Sequence, residues 1–395
     1  MPADHPATAA PPNGQRTAAP GPRATTYGSA AVRQYRSVDR VPTNPQPSPA
    51  SLRELLLERS LGMGFTRARI TDVPPTGPGS QAFDAMVRAK RTATLDWMAS
   101  GASVRRHPKT LLPNARSALV LGMDYAWERP PDPGGLTGKV SRYAWGRDYH
   151  NLISKRLRKL CRDLRQHGVE SYWSVDARPL VERAWARRAG LGYAGRNCMV
   201  IEPGRGSWFF LGVILVAASV APDPPLKHGM LKHCGRCTRC HDQCPTSAFT
   251  GDGQLDAAAC ISTLTIEHRA VIPASFATRM GRWVFGCDVC QEVCPHNHRP
   301  PSAIEQDFAP RPGHAWLDLA RVLRSDDEAL TASLVGSPLR RPKAWGLKRN
   351  AIAVLANLGT PEARREILRV LDHPHPVVSG QARQALHRMD GLTRR

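Results

Sequence analysis

The order of apolar and polar positions divides the chain into stretches of different character. From Ser51 apolar residues recur at helical spacing, opened by Leu52, Leu55, Leu56 and Phe65, and Ala82 to Met98 continues the pattern through Phe83, Met86, Leu95 and Trp97. Pro108 and Pro113 then interrupt the chain. Beyond them, strand and helix patterns alternate. Ala118 to Met123 reads as a buried strand, and Asp148 to Gln166 as a basic amphipathic helix with Leu152, Ile153, Leu157, Leu160 and Leu164 inward. Val169 to Val175 reads as strand, Pro179 to Arg188 as a helix with proline in its first turn, and Cys198 to Ile201 and Trp208 to Ala217 as two further strands. The alternation predicts an α/β layer domain over residues 51–225.

The far end of the chain is different. Pro295 to Pro312 reads as a linker, and His314 to Met389 as helical. Lys348 to Leu358, Pro361 to Leu371 and Pro376 to His387 form paired helices, separated by Gly359-Thr360-Pro361 and by His373-Pro374-His375-Pro376. This resembles a HEAT repeat, whose helical pair buries its apolar face only by stacking on a neighbour. Residues 1–50 are mostly Pro, Ala, Thr and Arg, too poor in large aliphatic residues to offset chain entropy, so a disordered tail is expected there. The tail either helps to capture a polyanion or is an inert extension.

Charge narrows the partners. The chain has 55 Lys and Arg against 33 Asp and Glu, a formal net charge of +22, which favours a polyanion such as nucleic acid unless a GC-rich genome alone has enriched arginine. From Gly336 onward there are twelve basic residues against four acidic ones, so the excess concentrates in the helical end. The longest apolar run, Trp208 to Val220, is broken by Gly212 and Ser219 and falls short of the roughly 18 residues a membrane span needs. With no apolar leader and no twin arginine near the start, a cytoplasmic protein without a membrane partner is expected.

The cysteines supply the chemistry. Eight of the ten lie between residues 234 and 294: Cys234, Cys237, Cys240 and Cys244-Pro245 in a first run, Cys287, Cys290 and Cys294-Pro295 in a second, and Cys260 alone between them. The second run has Val284 where a full copy would place a cysteine. In two-cluster ferredoxins three closely spaced thiolates hold one 4Fe-4S cube and the cysteine before proline crosses to the other. The rule groups Cys234, Cys237 and Cys240 with Cys294, and Cys287 and Cys290 with Cys244, Cys260 replacing the missing ligand. Zinc sites use separated pairs, and disulfides need an oxidising compartment, so two iron-sulfur clusters in a ferredoxin-like domain over residues 226–300 are expected. The overall class is α+β: an α/β domain, a two-cluster domain and a helical repeat over residues 301–395.

Two patches within the α/β part carry more special residues than a packing layer needs. One is Ser141-Arg142-Tyr143-Ala144-Trp145-Gly146-Arg147-Asp148-Tyr149-His150. The other runs from Val175-Asp176 through Glu182-Arg183 to Gly195-Arg196-Asn197, with Asp176 at a strand end, where it serves chemistry or caps the helix from Pro179. Cys161 reads as a small buried hydrophobe, while Cys198 is ambiguous.

These motifs, with CISTLTIEHR at 260–269 and FGCDVCQEVCPHN at 285–297, make residues 51–390 resemble the epoxyqueuosine reductase family, iron-sulfur and cobalamin enzymes of transfer-RNA queuosine modification. The resemblance implies cobalamin, although no DxHxxG motif is present, and makes residues 51–225 the cobalamin-binding catalytic domain. It implies that electrons from an unidentified donor pass through the clusters, and that Asp176 protonates the epoxide oxygen, which needs a carboxylic acid of raised pKa. Tyr143, Asp176, Arg196, Asn197, Cys198, Ser262, Thr265, His268, Cys287, Asp288, Val289 and Cys290 are implied around the corrinoid. Thr263 stands where the family has an aromatic residue near the tRNA, and Arg196 where it has lysine. Lys348, Arg349 and Asn350, at the start of a basic repeat helix, are the expected tRNA contacts, and a monomer is expected. A reductive dehalogenase would share the cofactors but carry an export signal; a plain electron carrier would share only the cysteines.

Overall fold

The computed structural model describes residues 47–393, residue 177 excepted. Most of the tail expected over residues 1–50 therefore lies outside the described residues. Helix α1 (Pro49–Gly62) starts within a proline-bearing first turn, where the Ser48 hydroxyl accepts the Ser51 N–H at 3.1 Å, and it buries Leu52 and Leu56. The helix expected over residues 82–98 is instead two short ones, Ser80–Arg88 and Asp96–Ser100. Lys90 and Ala93 between them take φ of 53° and 52°, left-handed backbone that cannot continue a right-handed helix.

The main sheet contains β1 (Arg67–Asp72), β2 (Ser117–Asp124), β4 (Ser171–Ser174) and β5 (Phe209–Val216), in the order β1-β2-β5-β4 and antiparallel throughout. Every residue of β2 is buried, because both faces of this central strand are covered. Leu119, Leu121 and Met123 pack with α1 and with α2 (Tyr149–Gln166), while Ala118 and Val120 pack with Trp185 and Ala186 of α3 (Glu182–Arg188). The two-residue period of a strand sorts alternate side chains into these two cores, giving a helix-sheet-helix layer arrangement.

A smaller sheet fixes the site. Strand β3 (Thr137–Val140) lies between β6 (Trp283–Phe285), parallel to it, and β7 (Trp316–Asp318), antiparallel. It therefore joins the segment before Ser141 to the segment before Cys287. The C-terminal helices α5 (Lys343–Leu358), α6 (Pro361–Leu368) and α7 (Pro376–Thr393) pack together, with Gly359 in the left-handed conformation ending α5 and the Thr360 hydroxyl accepting the Ala363 N–H at 3.1 Å to start α6. Their core is continuous with Val140, Trp145, Phe285 and Trp316, so these helices are packed onto the small sheet as well as onto one another. Among the described residues no helix is long and apolar enough to cross a membrane.

Candidate active site and cluster cradle

Because β3 and β6 run parallel, the chain leaves both at the same end and Ser141 meets Cys287-Asp288. The Ser141 N–H donates to the Phe285 carbonyl at 2.8 Å, the Arg142 N–H donates to Asp288 Oδ2 at 2.7 Å, and the Ser141 hydroxyl donates to Asp288 Oδ1. Burial pushes the Asp288 carboxyl up to about 6, offset in part by those donors. Gly286 has φ +66°, and a Cβ there would stand 2.4 Å from Ser141 Cβ, so glycine permits this approach. The Gly286 N–H donates in turn to the Thr265 hydroxyl at 2.9 Å, tying in α4 (Ile261–Ile266).

Asp176 lies beyond the end of β4 in left-handed backbone, φ 48°, and keeps 52% of its side-chain surface although protein surrounds it. Its Oδ2 accepts the Tyr149 hydroxyl at 2.5 Å and lies 2.7 Å from His150 Nε2. Both partners sit in the first turn of α2, placed by Asp148, whose Oδ1 caps the helix by accepting the His150 N–H at 3.0 Å and also lies 2.9 Å from His150 Nδ1. Tyr149 stacks on Phe210 at 4.1 Å and meets Tyr143 edge-on at 6.0 Å, which leads back to Ser141. Asp176 is thus not the cap of a helix from Pro179; that helix begins at Glu182.

The electrostatics correct a second expectation. Burial disfavours charge on Asp176, but the hydrogen bond and charge of His150 and the Tyr149 hydroxyl outweigh it and hold the carboxyl down at about 2. Burial likewise opposes charge on His150, yet Asp148 and Asp176 on either side raise it to about 9. Asp176 is therefore an anion beside an imidazolium, rather than a carboxylic acid kept neutral by burial, and the mobile proton rests on His150. A second carboxyl, Glu182, accepts the Ser174 hydroxyl at 2.8 Å and is pushed up to about 8 by burial and by the charge of Asp176.

The cysteines gather as two groups. Cys234, Cys237, Cys240 and Cys294 together line a cavity of about 250 Å³, with Arg196, Asn197, Arg239 and His296 also in its wall. Cys244, Cys260, Cys287 and Cys290 lie close enough for their charges to interact. Each group offers four thiols, the donor set a 4Fe-4S cube takes, and no three His, Cys, Asp or Glu side chains among the described residues converge on a single ion. In donor number and type the residues present fit two cubes. Cys161 is apart from both groups, on α2 itself against the core under the main sheet, where burial raises its thiol to about 11.

Several expected contacts are placed elsewhere. Lys348, Arg349 and Asn350 are 3%, 0% and 0% exposed, which corrects their assignment to RNA. Helix α5 is the central helix of its bundle, so these positions face neighbours on every side. Arg349 donates to the carbonyls of Leu264 and Ala270 at 2.8 and 3.1 Å and to that of His268, Asn350 donates to those of Thr265 and Val284 at 2.7 and 2.9 Å, and Lys348 pairs with Asp327 at 2.7 Å. Thr265 is fully buried and Asp288 is engaged as above, so the side chains of both serve the scaffold, while Asn197, in the wall of the first cysteine cavity, donates to the Cys290 carbonyl at 3.0 Å. Arg196 points to the first cysteine cavity, paired with Asp252 at 2.6 Å. The Thr263 hydroxyl turns to the Cys260 sulfur, and His268 Nε2 lies 3.2 Å from the Val271 carbonyl. Tyr143, Cys198, Ser262 and Val289 remain half-buried. Tyr149, His150 and Glu182 stood inside the two sequence patches without a role; the carboxylate cap before Tyr149-His150 was the signal that could have singled them out.

The family model described as 4Fe-4S double cluster binding domain matches residues 233–297, and that of epoxyqueuosine reductase QueG, DUF1730, matches residues 105–181. The epoxyqueuosine reductase of Synechococcus sp. (strain CC9605) is 40% identical over 76% of this chain and 94% of its own length. That of Pseudomonas aeruginosa is 36% identical over 79% and 87%. Among solved structures, the Bacillus subtilis enzyme superposes with a TM-score of 0.77 at 27% identity, over 87% of this chain and 91% of that one, and an epoxyqueuosine reductase with a tRNA-Tyr epoxyqueuosine-modified stem loop superposes equally well at 28% identity. With relatives of this identity and coverage, the chain belongs to the epoxyqueuosine reductase family.

Proposed function

We propose that this protein reduces the epoxide of epoxyqueuosine in tRNA to queuosine, with two 4Fe-4S clusters and cobalamin. The observation that carries the reading is the proton chain Asp148-His150-Asp176, which ends on an exposed carboxylate linked through Tyr149, Tyr143 and Ser141 to Asp288, between Cys287 and Cys290. Removing an epoxide oxygen as water takes two electrons and two protons. A solved relative, from Bacillus subtilis, has an aspartate-bearing catalytic loop swung out of the active site, and Asp176 likewise stands on a loop between strand and helix.

A bound corrinoid would supply a strongly reducing cobalt centre able to act on carbon. Tyr143, Cys198 and Ser262, all half-buried, would hold it beside the exposed Asp176 carboxylate. The chain's own part is proton handling. Asp176 accepts a proton from His150 across 2.7 Å and passes it to the leaving oxygen, and Asp148 keeps the imidazole oriented. Glu182, protonated near neutral pH, is a second reserve beside Asp176. Arg340 and Lys343, both exposed, replace the buried 348–350 cluster as the RNA-holding cations; Arg341 between them anchors that turn to Glu267 at 2.9 Å, next to the Cys260 helix. Incubating reconstituted holoenzyme with an epoxyqueuosine-containing anticodon stem loop and a chemical reductant tests the reading. Queuosine in the digested RNA is the expected product; none from protein carrying both clusters and corrinoid refutes it.

A further inference from the structure

The two cysteine groups differ in what surrounds them. The second is flanked by buried Val284, Phe285, Asp288 and Gln291, and Asp288 is linked through Ser141, Tyr143 and Tyr149 to Asp176. The first is bordered by exposed chain: Lys227, Lys232, Arg236 and Arg239 are all exposed, Arg236 lies between Cys234 and Cys237, and Arg239 lines the cavity itself. Residues 227–243 contain these four cations and a single carboxylate, Asp242, which accepts the Thr238 hydroxyl at 2.7 Å. The other carboxylates of this neighbourhood are taken, Asp223 by Arg53 and Asp252 by Arg196, each at 2.6 Å. No carboxylate among the described residues pairs with any of the four cations, in a chain where arginines elsewhere commonly do pair.

We propose that this rim is the docking surface of the electron donor, and that the donor is a small acidic protein carrying electrons one at a time. The inference rests on the two-cluster reading above. Unpaired cations gathered around a redox centre attract an acidic partner and raise its encounter rate, while contributing little to a lasting complex. A carrier that must bind, deliver one electron and leave needs that combination. Each visit oxidises the carrier by one electron and reduces one cluster by one, so two visits supply the two electrons that the epoxide consumes, and the two protons come from the Asp176 side. An RNA seated on the rim would cover the electron entry point, so a protein carrier fits the surface better.

The test uses anaerobic holoenzyme and stopped-flow bleaching of the cluster absorbance, with flavodoxin hydroquinone as the acidic probe and reduced methyl viologen, a small cation, as control. In the triple variant Lys227→Glu, Lys232→Glu, Arg236→Glu the flavodoxin rate should fall at least about ten-fold at low ionic strength and lose most of its salt dependence, while methyl viologen reduces the clusters no more slowly. Iron and sulfide content should be unchanged. If reversal so near the ligands impairs cluster assembly, the pair Lys227→Glu, Lys232→Glu, outside the ligand loop, should give the smaller drop in the same direction. An unchanged flavodoxin rate with intact clusters overturns the proposal, as does loss of stem-loop affinity with flavodoxin unaffected, which would make the rim an RNA surface. Wild-type protein that takes up no iron-sulfur cluster would instead overturn the two-cluster reading and this inference together.

Discussion

His150 Nε2 stands 2.7 Å from Asp176 Oδ2, and the two side chains share one proton that rests on the imidazole. They are a coupled pair, so on the proposed function the acid is the pair and not the aspartate alone. On that reading Asp176→Asn removes the carboxylate that hands the proton on. Turnover of the stem loop is expected to fall by roughly 10² to 10⁴, with cluster and corrinoid absorbance unchanged. Near-normal turnover would leave Asp176 with a structural role only.

The pH dependence follows from the direction of each shift. The His150 proton is held more tightly when folded, from an ordinary value of 6.5 up to about 9, so its stabilisation is complete below 6.5 and is lost as pH rises through 9. Asp176 moves the other way, from 3.8 down to about 2, so its contribution is present above 3.8 and is lost as pH falls toward 2. Turnover and melting temperature should both decline between pH 6.5 and 9, and His150→Gln should flatten the melting profile there while lowering kcat more than it raises KM. A variant with the wild-type slope would place the titration on another group.

Cys260 tests the crossed arrangement. Its substitution by alanine should remove one ligand from the group containing Cys244, Cys287 and Cys290 and leave the cavity lined by Cys234, Cys237, Cys240 and Cys294 untouched. Iron and sulfide should drop from eight of each toward four, or to a damaged second cluster, as counted from two 4Fe-4S cubes. A full complement in the variant would remove Cys260 from the ligand set.

Arg349 binds the protein to itself. Arg349→Ala would leave the Leu264, His268 and Ala270 carbonyls without their donor in a buried seam between α5 and the Cys260 helix. A loss of roughly 3 kcal/mol is expected, from charged hydrogen bonds that are fully buried. Denaturant unfolding measures it. Stem-loop binding by the remaining folded protein should keep its wild-type salt slope, which an RNA contact would not.

Arg340 and Lys343 make the opposite prediction. They are exposed, so replacing both with glutamine should leave unfolding within about 0.5 kcal/mol of wild type. Stem-loop affinity should weaken, and the log-log salt slope should shrink by about one for each phosphate released. Fluorescence anisotropy over a salt series reads both. An unaltered slope would move the RNA away from this turn.

What could be read from the sequence was whatever short spacing encodes. Cysteines two or three residues apart must share a loop, whatever the rest of the chain does, so the cluster segment was legible at once. The inward leucines of α2, the central strand over residues 118–123 and the helices after Lys348 were legible for the same reason, since a turn of helix or a stretch of strand sets which side chains share a face. Asp176 was singled out by its motif, but not its protonation state. That state depends on His150, 26 residues earlier, and the two meet only because β4 returns beside β5 and brings its end to the first turn of α2. The contact of Ser141 with Asp288 spans 147 residues and exists only because β3 and β6 pair in parallel. Basic composition pointed to Lys348 and Arg349 as surface cations; the packing of α5 at the centre of its bundle made them buried struts instead. Burial and long-range pairing are properties of the closed chain, which local pattern does not contain, and here they decided where the proton rests and which cations face solvent.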